Sequence, residues 1–288
     1  MKISGNTRLI ALLGNPISHS LSPLMHNTSF EKSGEDYVYL CLPTNKDTLW
    51  KVIETLKIVG CKGANITYPN KIEIIKYLDE LSDEVKIIGA CNTIVISEDK
   101  KIKGYNTDGR GFVKSLKDIN IDLKGKTVAI MGLGGAGSAI ATCLSLEGVK
   151  TIYVKEKTIA KAEKVKERIN TYIDGVEIII TKNEDEFVSI LDKVTILINA
   201  SPAGMTGSEE KFPINPCKLE GKNLLLYDII YSPLKTPLIE KAQNYGIKCL
   251  NGIEMMINQG AISYNIWTGQ KMDLDLVNRV ILKNLGER

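Results

Sequence analysis

Both histidines of this 288-residue chain and three of its serines fall in one stretch, GNPISHSLSPLMHN at 14–27, where Ser18, Ser20 and Ser22 are spaced by two. Hydroxyls and imidazoles at that density suit three chemistries: a Ser/His nucleophile, a metal site, or a cradle for an anion. A second candidate is Gly132-x-Gly134-x-x-Gly137, within KTVAIMGLGGAGSAIATCL at 126–144. It follows an apolar strand pattern and opens into a helical one. In that context glycines permit a tight turn and let a pyrophosphate approach a helix N-terminus. S-adenosylmethionine or FAD would use the same kind of loop, so it indicates a nucleotide and not a reaction. Glu156 lies at the right distance past the loop, about 20 residues, to bond the ribose 2′-hydroxyl of NAD. Lys155, Lys157 and Lys161 surround it and suit the 2′-phosphate of NADP instead. Three further stretches place polar side chains at the ends of strand patterns: Asn65-Ile66-Thr67-Tyr68-Pro69-Asn70-Lys71, Gly89-Ala90-Cys91-Asn92-Thr93 and Gly104-Tyr105-Asn106-Thr107-Asp108-Gly109. Ligands of open α/β sheets lie beyond the carboxyl ends of strands, so these groups are expected to converge on one crevice. Each stretch alone also reads as ordinary turn chemistry.

The elements that must position these groups alternate. RLIALLG (8–14), YVYLCLP (37–43) and GANITYP (63–69) read as strands, and SPLMHNTSFEKSG (22–34), TLWKVIETLKIVG (48–60) and NKIEIIKYLDEL (70–81) as helices. NTIVIS and KIKGYN form a hairpin across EDK. After DLKGK a second series begins with TVAIMG, TIYVKE, VEIIIT, TILINA and NLLLYDII as strands, and the last 40 or so residues read as helices. Strands with helices between them imply βαβ units and a largely parallel sheet. A domain boundary is expected near 108–124. The fold class expected is α/β in two domains: a substrate-binding domain of 1–110 completed by helices of 250–288, and a doubly wound dinucleotide-binding domain of 111–249.

Bulk properties narrow the classes. A net charge of +3, with neither a basic stripe nor interleaved aromatics, argues against nucleic acid or an anionic membrane as partner. Six scattered cysteines without CxxC or zinc spacing suit reduced thiols in a cytoplasmic enzyme, with no metal. No apolar run reaches the roughly 20 residues a membrane span needs.

In order and at matching spacings, SHSLSP, NITYPNK, GACNT, GYNTDG, GLGGAG, NASPAGM, DIIYSPLKTPL and NGIEMMINQG resemble the shikimate dehydrogenase family, essentially end to end. The resemblance implies a substrate domain built from the first third plus the C-terminal helices, with a Rossmann domain between them. It implies Lys71 and Asp108 as the catalytic pair. Ser20, Ser22, Thr67, Asn92, Tyr231 and Gln259, together with that pair, would hold the carboxylate and hydroxyls of shikimate or 3-dehydroshikimate. Gly132, Gly134, Gly135, Ala136, Gly137, Glu156, Lys157, Thr158, Lys161, Ser201, Ile229 and Gly252 match the cofactor side. The implied reaction is reversible NADP-linked reduction of 3-dehydroshikimate, on the route to chorismate and aromatic amino acids, by a monomer or homodimer. Hydride arriving at a carbonyl carbon leaves charge on oxygen, and Lys71 is the expected proton donor, oriented by Asp108.

The opening stretch then reads as the anion cradle. Ser22 is expected as an N-cap with Pro23 in the first turn, so that a helix N-terminus faces the carboxylate. His19 and His26 match no catalytic role in the family and are read as structural. A serine hydrolase is disfavoured for want of a GxSxG elbow. The chain departs from the family's NADP-binding form at Glu156-Lys157-Thr158, where Asn-Arg-Thr is usual. NADP is expected, with NAD possible. The rival readings are a quinate/shikimate dehydrogenase using NAD and, from another class, a catalytically silent Rossmann ligand sensor. The intact Lys71/Asp108 pair argues against the sensor, as it does against a methyltransferase.

Overall fold

A computed structural model describes residues 2–286. The chain divides into two compact units, Met1–Thr107 with Ile257–Arg288, and Asp108–Met256. In the first unit, strands β1 (Arg8–Gly14), β2 (Tyr37–Pro43), β3 (Gly63–Ile66), β4 (Glu80–Leu81), β5 (Thr93–Ile96) and β6 (Ile102–Tyr105) form one sheet ordered β2-β1-β3-β5-β6-β4. Helix α1 (Ser22–Ser33) connects β1 to β2, and α2 (Leu49–Ile58) connects β2 to β3. Both connections join parallel neighbours of β1, as βαβ crossovers require. β5 and β6 pair antiparallel as the hairpin expected across EDK. Short helix α3 (Asp83–Ile88) is capped by Ser82, whose hydroxyl accepts from the Val85 N–H at 3.4 Å. Leu13, Ile53, Leu56, Ile66, Ile74 and Ile94 form the buried core of this sheet.

The second unit carries α4 (Asp108–Lys117), β7 (Thr127–Met131), α5 (Gly135–Leu146), β8 (Thr151–Lys155), α6 (Ile159–Tyr172), β9 (Glu177–Ile180), α7 (Glu184–Ser189), β10 (Ile196–Asn199), β11 (Leu225–Asp228), α8 (Pro237–Asn244) and β12 (Lys248–Leu250). Its six strands are all parallel, in the order β12-β11-β10-β7-β8-β9. Successive residues of β7 enter opposite cores: Val128 and Ile130 pack with Phe112, Ile140 and Leu144, while Ala129 and Met131 pack with Phe187, Leu197 and Leu238. A sheet apolar on both faces must be covered on both. The order is that of a doubly wound Rossmann-type sheet, with its topological switch point between β7 and β10.

Helix α9 (Ile253–Thr268) begins in the second unit and continues in the first, followed there by α10 (Leu274–Gly286). In the first unit Trp267 donates to the Ile94 carbonyl at 3.0 Å, Tyr264 donates to Ser33 Oγ at 2.7 Å, and α10 packs on α1. Among the described residues no helix is long and apolar enough to cross a membrane.

The helix expected over 70–81 does not form. A 3₁₀ segment covers Glu73–Tyr77, and Glu80–Leu81 is strand β4. The Lys71 carbonyl, which an α-helix would use, instead accepts the Cys91 N–H at 2.8 Å. At the far end Asp79 N–H donates to the Ile102 carbonyl, while Asp79 Oδ2 accepts the Ile102 N–H at 2.7 Å. Pairing with distant strands overrides the local period.

Candidate active-site and dinucleotide-binding residues

In the first unit the polar strand ends are laced together. Thr44 N–H donates to the Gly14 carbonyl, Asn15 N–H to the Tyr68 carbonyl, and Asn70 Nδ2 to the Thr44 carbonyl. Gly14 is required here: a Cβ would run into the Thr67 methyl and lie 2.7 Å from the Tyr68 carbonyl. The serine-rich loop 14–22 is thereby fixed beside the 67–71 turn that carries Thr67 and Lys71. Ser22 is not the N-cap of α1. Leu21 takes that place with helical backbone angles, and Ser20 Oγ accepts the Ser22 N–H at 3.2 Å. The chain is already helical at Leu21, and no side-chain hydrogen bond caps this helix start. His19 is exposed. His26 is wholly buried, its ring 4.6 Å from that of Tyr39 and edge-on to Trp267 at 5.2 Å, and neither ring nitrogen has a hydrogen-bond partner. Burial pushes its pKa down to about 3, so it packs as a neutral aromatic ring.

Asn92 sits at the centre of a buried polar network. Its Oδ1 accepts the Thr107 N–H at 2.8 Å, and its Nδ2 donates to Thr107 Oγ1 at 2.9 Å and Gln259 Oε1 at 3.4 Å. Asp108, buried, is the next residue after Thr107 and opens α4. The path from Lys71 to Thr107 is short: the Lys71 carbonyl accepts the Cys91 N–H, and the side-chain Oδ1 of the next residue, Asn92, accepts the N–H of Thr107, which precedes Asp108. Gly109 is fixed by packing, since a Cβ there would strike the Ala139 carbonyl of α5.

In the second unit β7 runs into Gly132, whose φ of +92° favours glycine, and the turn continues into α5. A Cβ on Gly137 would collide with the Gly132 carbonyl, whereas one on Gly134 would meet nothing within 4 Å. So Gly132 makes the turn, Gly137 lets the helix close on it, and Gly134 faces open space just before α5, which Gly135 and Ala136, both half-buried, begin. Ser201 lies across the switch point: its N–H and Oγ both donate to Asn199 Oδ1, at 3.1 and 2.7 Å. Asn199 Nδ2 donates in turn to Asp228 Oδ1 at 3.0 Å, and Thr236 Oγ1 to Asp228 Oδ2 at 2.7 Å. Burial raises the Asp228 pKa, against which these hydrogen bonds act. Neither Asn199 nor Asp228 was singled out from sequence, although each ends an apolar strand with a polar residue. Ile229 and Gly252 are in contact, because a Cβ at 252 would overlap the Ile229 carbonyl. Tyr231 is half-buried just beyond β11.

Glu156 folds back onto the glycine loop. Its Oε2 accepts the Leu133 N–H at 2.7 Å and lies 3.6 Å from Lys161 Nζ, and its Oε1 accepts the Thr158 N–H at 3.2 Å. Burial raises its pKa, but the two backbone donors and Lys161 outweigh that and hold it below the usual carboxylate range. The lysine cluster expected around it disperses. Lys155 pairs with Glu184 and the Pro213 carbonyl, Lys157 pairs with Glu210, and only Lys161 faces Glu156. Carboxylates distant in sequence claim the other two.

The chain matches the family profile of the shikimate dehydrogenase substrate binding domain over residues 12–94, and that of the shikimate 5′-dehydrogenase C-terminal domain over 252–282. It is 42% identical to the shikimate dehydrogenase (NADP(+)) of Alkaliphilus metalliredigens, over 98% of each chain. It is 37% identical to that of Methanocaldococcus jannaschii, over 98% of this chain and 99% of the other. Among solved structures, shikimate 5-dehydrogenase from Listeria monocytogenes, in complex with shikimate and NAD, superposes with a TM-score of 0.88 at 36% identity, covering 98% of both chains. A shikimate dehydrogenase in complex with NADP+ gives 0.88 at 35%, covering 99% of this chain and 98% of the other. Likeness that runs through both units and nearly the full length of each relative admits one assignment: the chain belongs to the shikimate dehydrogenase family.

Proposed function

We propose that the chain interconverts 3-dehydroshikimate and shikimate with NADP, using Lys71 and Asp108 as the catalytic pair. The observation that carries this reading is the short hydrogen-bonded path from Lys71 through Cys91 and the Asn92 side chain to Thr107, the residue before Asp108. NADP in the second unit is supported by the glycine loop, where added Cβ atoms at 132 and 137 would meet backbone while 134 is open. Gly134, Gly135 and Ala136 at the start of α5 would hold the pyrophosphate, with Ser201, Ile229 and Gly252 also on the cofactor side. Bound NADP supplies or takes up the hydride. The cationic Lys71 polarises the substrate carbonyl and gives its proton to the oxygen as charge develops there, and in the reverse direction removes it. Asp108 orients the ammonium and a substrate hydroxyl. Ser20 and Ser22 hold the carboxylate, and Thr67, Asn92, Tyr231 and Gln259 the hydroxyls. Six cysteines outside any disulfide support a cytoplasmic location.

One observation favours NAD as a second cofactor. An ionised carboxylate offers about four acceptor sites; Glu156 uses one on the Leu133 N–H and one on the Thr158 N–H, and forms an ion pair with Lys161 at 3.6 Å. A remaining site can accept a ribose hydroxyl, whereas the carboxylate charge repels a phosphate.

The test is to mix protein with shikimate, or quinate, and NADP or NAD, and follow absorbance of the reduced nicotinamide. Shikimate with NADP is expected to be the efficient pair. Lys71→Ala should lose about 10²–10⁴-fold in kcat while shikimate still binds. Near-normal turnover in that variant refutes the role of Lys71.

A further inference from the structure

Thr93 and Ser263 have no part in the chemistry proposed above, yet both are wholly buried and polar, and they meet across 170 residues of sequence with their hydroxyls 2.8 Å apart. Around them the orientation of each amide is dictated by its neighbour. The Thr107 N–H can only donate, so Asn92 must present Oδ1 to it. Asn92 Nδ2 then points the other way, to Thr107 Oγ1 and Gln259 Oε1. A reversed Gln259 would set its NH₂ against the NH₂ of Asn92. Gln259 is thus held with its carbonyl toward Asn92 and its NH₂ end turned away.

The other side of Asn92 is braced by Thr93, whose Oγ1 donates to Asn92 Oδ1 at 3.0 Å and accepts from Asn65 Nδ2 at 3.0 Å. Asn65 also donates to the Asn92 carbonyl and to Ser263 Oγ, both at 3.2 Å, and its own Oδ1 accepts from the Tyr39 hydroxyl at 2.7 Å. Ser263 stands one turn beyond Gln259 on α9, and its hydroxyl reaches the Gln259 backbone carbonyl at 3.1 Å and Thr107 Oγ1 at 3.2 Å. The Thr93 hydroxyl is therefore the junction between the sheet, the Asn92 amide and the helix that carries Gln259.

We infer that Thr93 is a positioning residue: acting through Asn92 and Ser263, its hydroxyl fixes the reach of the Gln259 amide, whose polarity Thr107 and Asn92 have set, so that the ligand meets an N–H donor there. The group recognised at Gln259 is then an acceptor oxygen. This rests on the substrate role proposed above for Asn92 and Gln259.

The test compares two nearly isosteric changes. Thr93→Val keeps the shape and removes the hydroxyl, and Thr93→Ser keeps the hydroxyl and removes a buried methyl. Thr93→Val should raise the KM for shikimate about tenfold, the effect of losing roughly one hydrogen bond, with kcat and the KM for NADP within about twofold of wild type. Thr93→Ser should keep the wild-type KM even though its melting temperature falls. A wild-type KM in Thr93→Val, a loss confined to kcat, or equal KM increases in both variants overturns the inference. A wild-type protein that fails to oxidise shikimate at all overturns the proposed function, and this inference with it.

Discussion

His26 makes the stability of the first unit depend on pH, and the dependence can be worked out. The imidazole is wholly buried among Phe30, Tyr39 and Trp267 with no hydrogen-bond partner on either nitrogen, and its pKa falls from 6.5 to about 3. The unfolded chain therefore binds a proton that the folded chain refuses. Stability is fully present above about pH 6.5 and is lost as pH falls toward about 3. At 1.36 kcal/mol per pH unit, the loss is about 2 kcal/mol at pH 5, with a ceiling of about 5 kcal/mol below pH 3. Both tryptophans, Trp50 and Trp267, belong to the first unit, so their fluorescence reports its unfolding separately from the second. Urea titrations of wild type and His26→Phe at about pH 7.5 and pH 5 isolate the effect. Changes in packing shift the variant equally at both pH values and cancel. The difference between the two proteins should move by about 2 kcal/mol in favour of the variant at the lower pH. A difference that stays the same at both pH values refutes the argument.

Two further changes probe the second unit. Glu156→Gln should raise the ratio of kcat/KM for NADP over NAD by about tenfold, the size of one partly screened charge repulsion. It should tighten NADPH more than NADH in a fluorescence titration of the protein alone, and equal effects on both nucleotides would rule out Glu156 as the discriminating group. Gly137→Ala forces a Cβ into the Gly132 carbonyl; it should weaken NADPH binding by at least about tenfold and destabilise the second unit by about 1–3 kcal/mol. Unchanged binding would show that the turn can shift at no cost.

Much of this protein is legible in its sequence because the deciding interactions are local. Strand RLIALLG needs only its own apolar run, and GLGGAG after a strand needs only the steric freedom of Gly132 and Gly137. Ordered motifs such as NITYPNK and GYNTDG were enough to suggest the family, which relatives at up to 42% identity show. What tertiary structure alone decided is where polar groups find partners far along the chain. The 70–81 segment is helical by period, but the Lys71 carbonyl belongs to Cys91 and residue 79 to residue 102. Lys157 is near Glu156 in sequence, yet it is claimed by Glu210. Ser22 has the chemistry of an N-cap, but the chain is already helical at Leu21. Thr93 and Ser263 are separated by 170 residues, and no periodicity announces their contact. Side-chain period and the turn conformation of a glycine act over a few residues, whereas a buried hydrogen bond is settled by whichever partner the finished packing brings within about 3 Å.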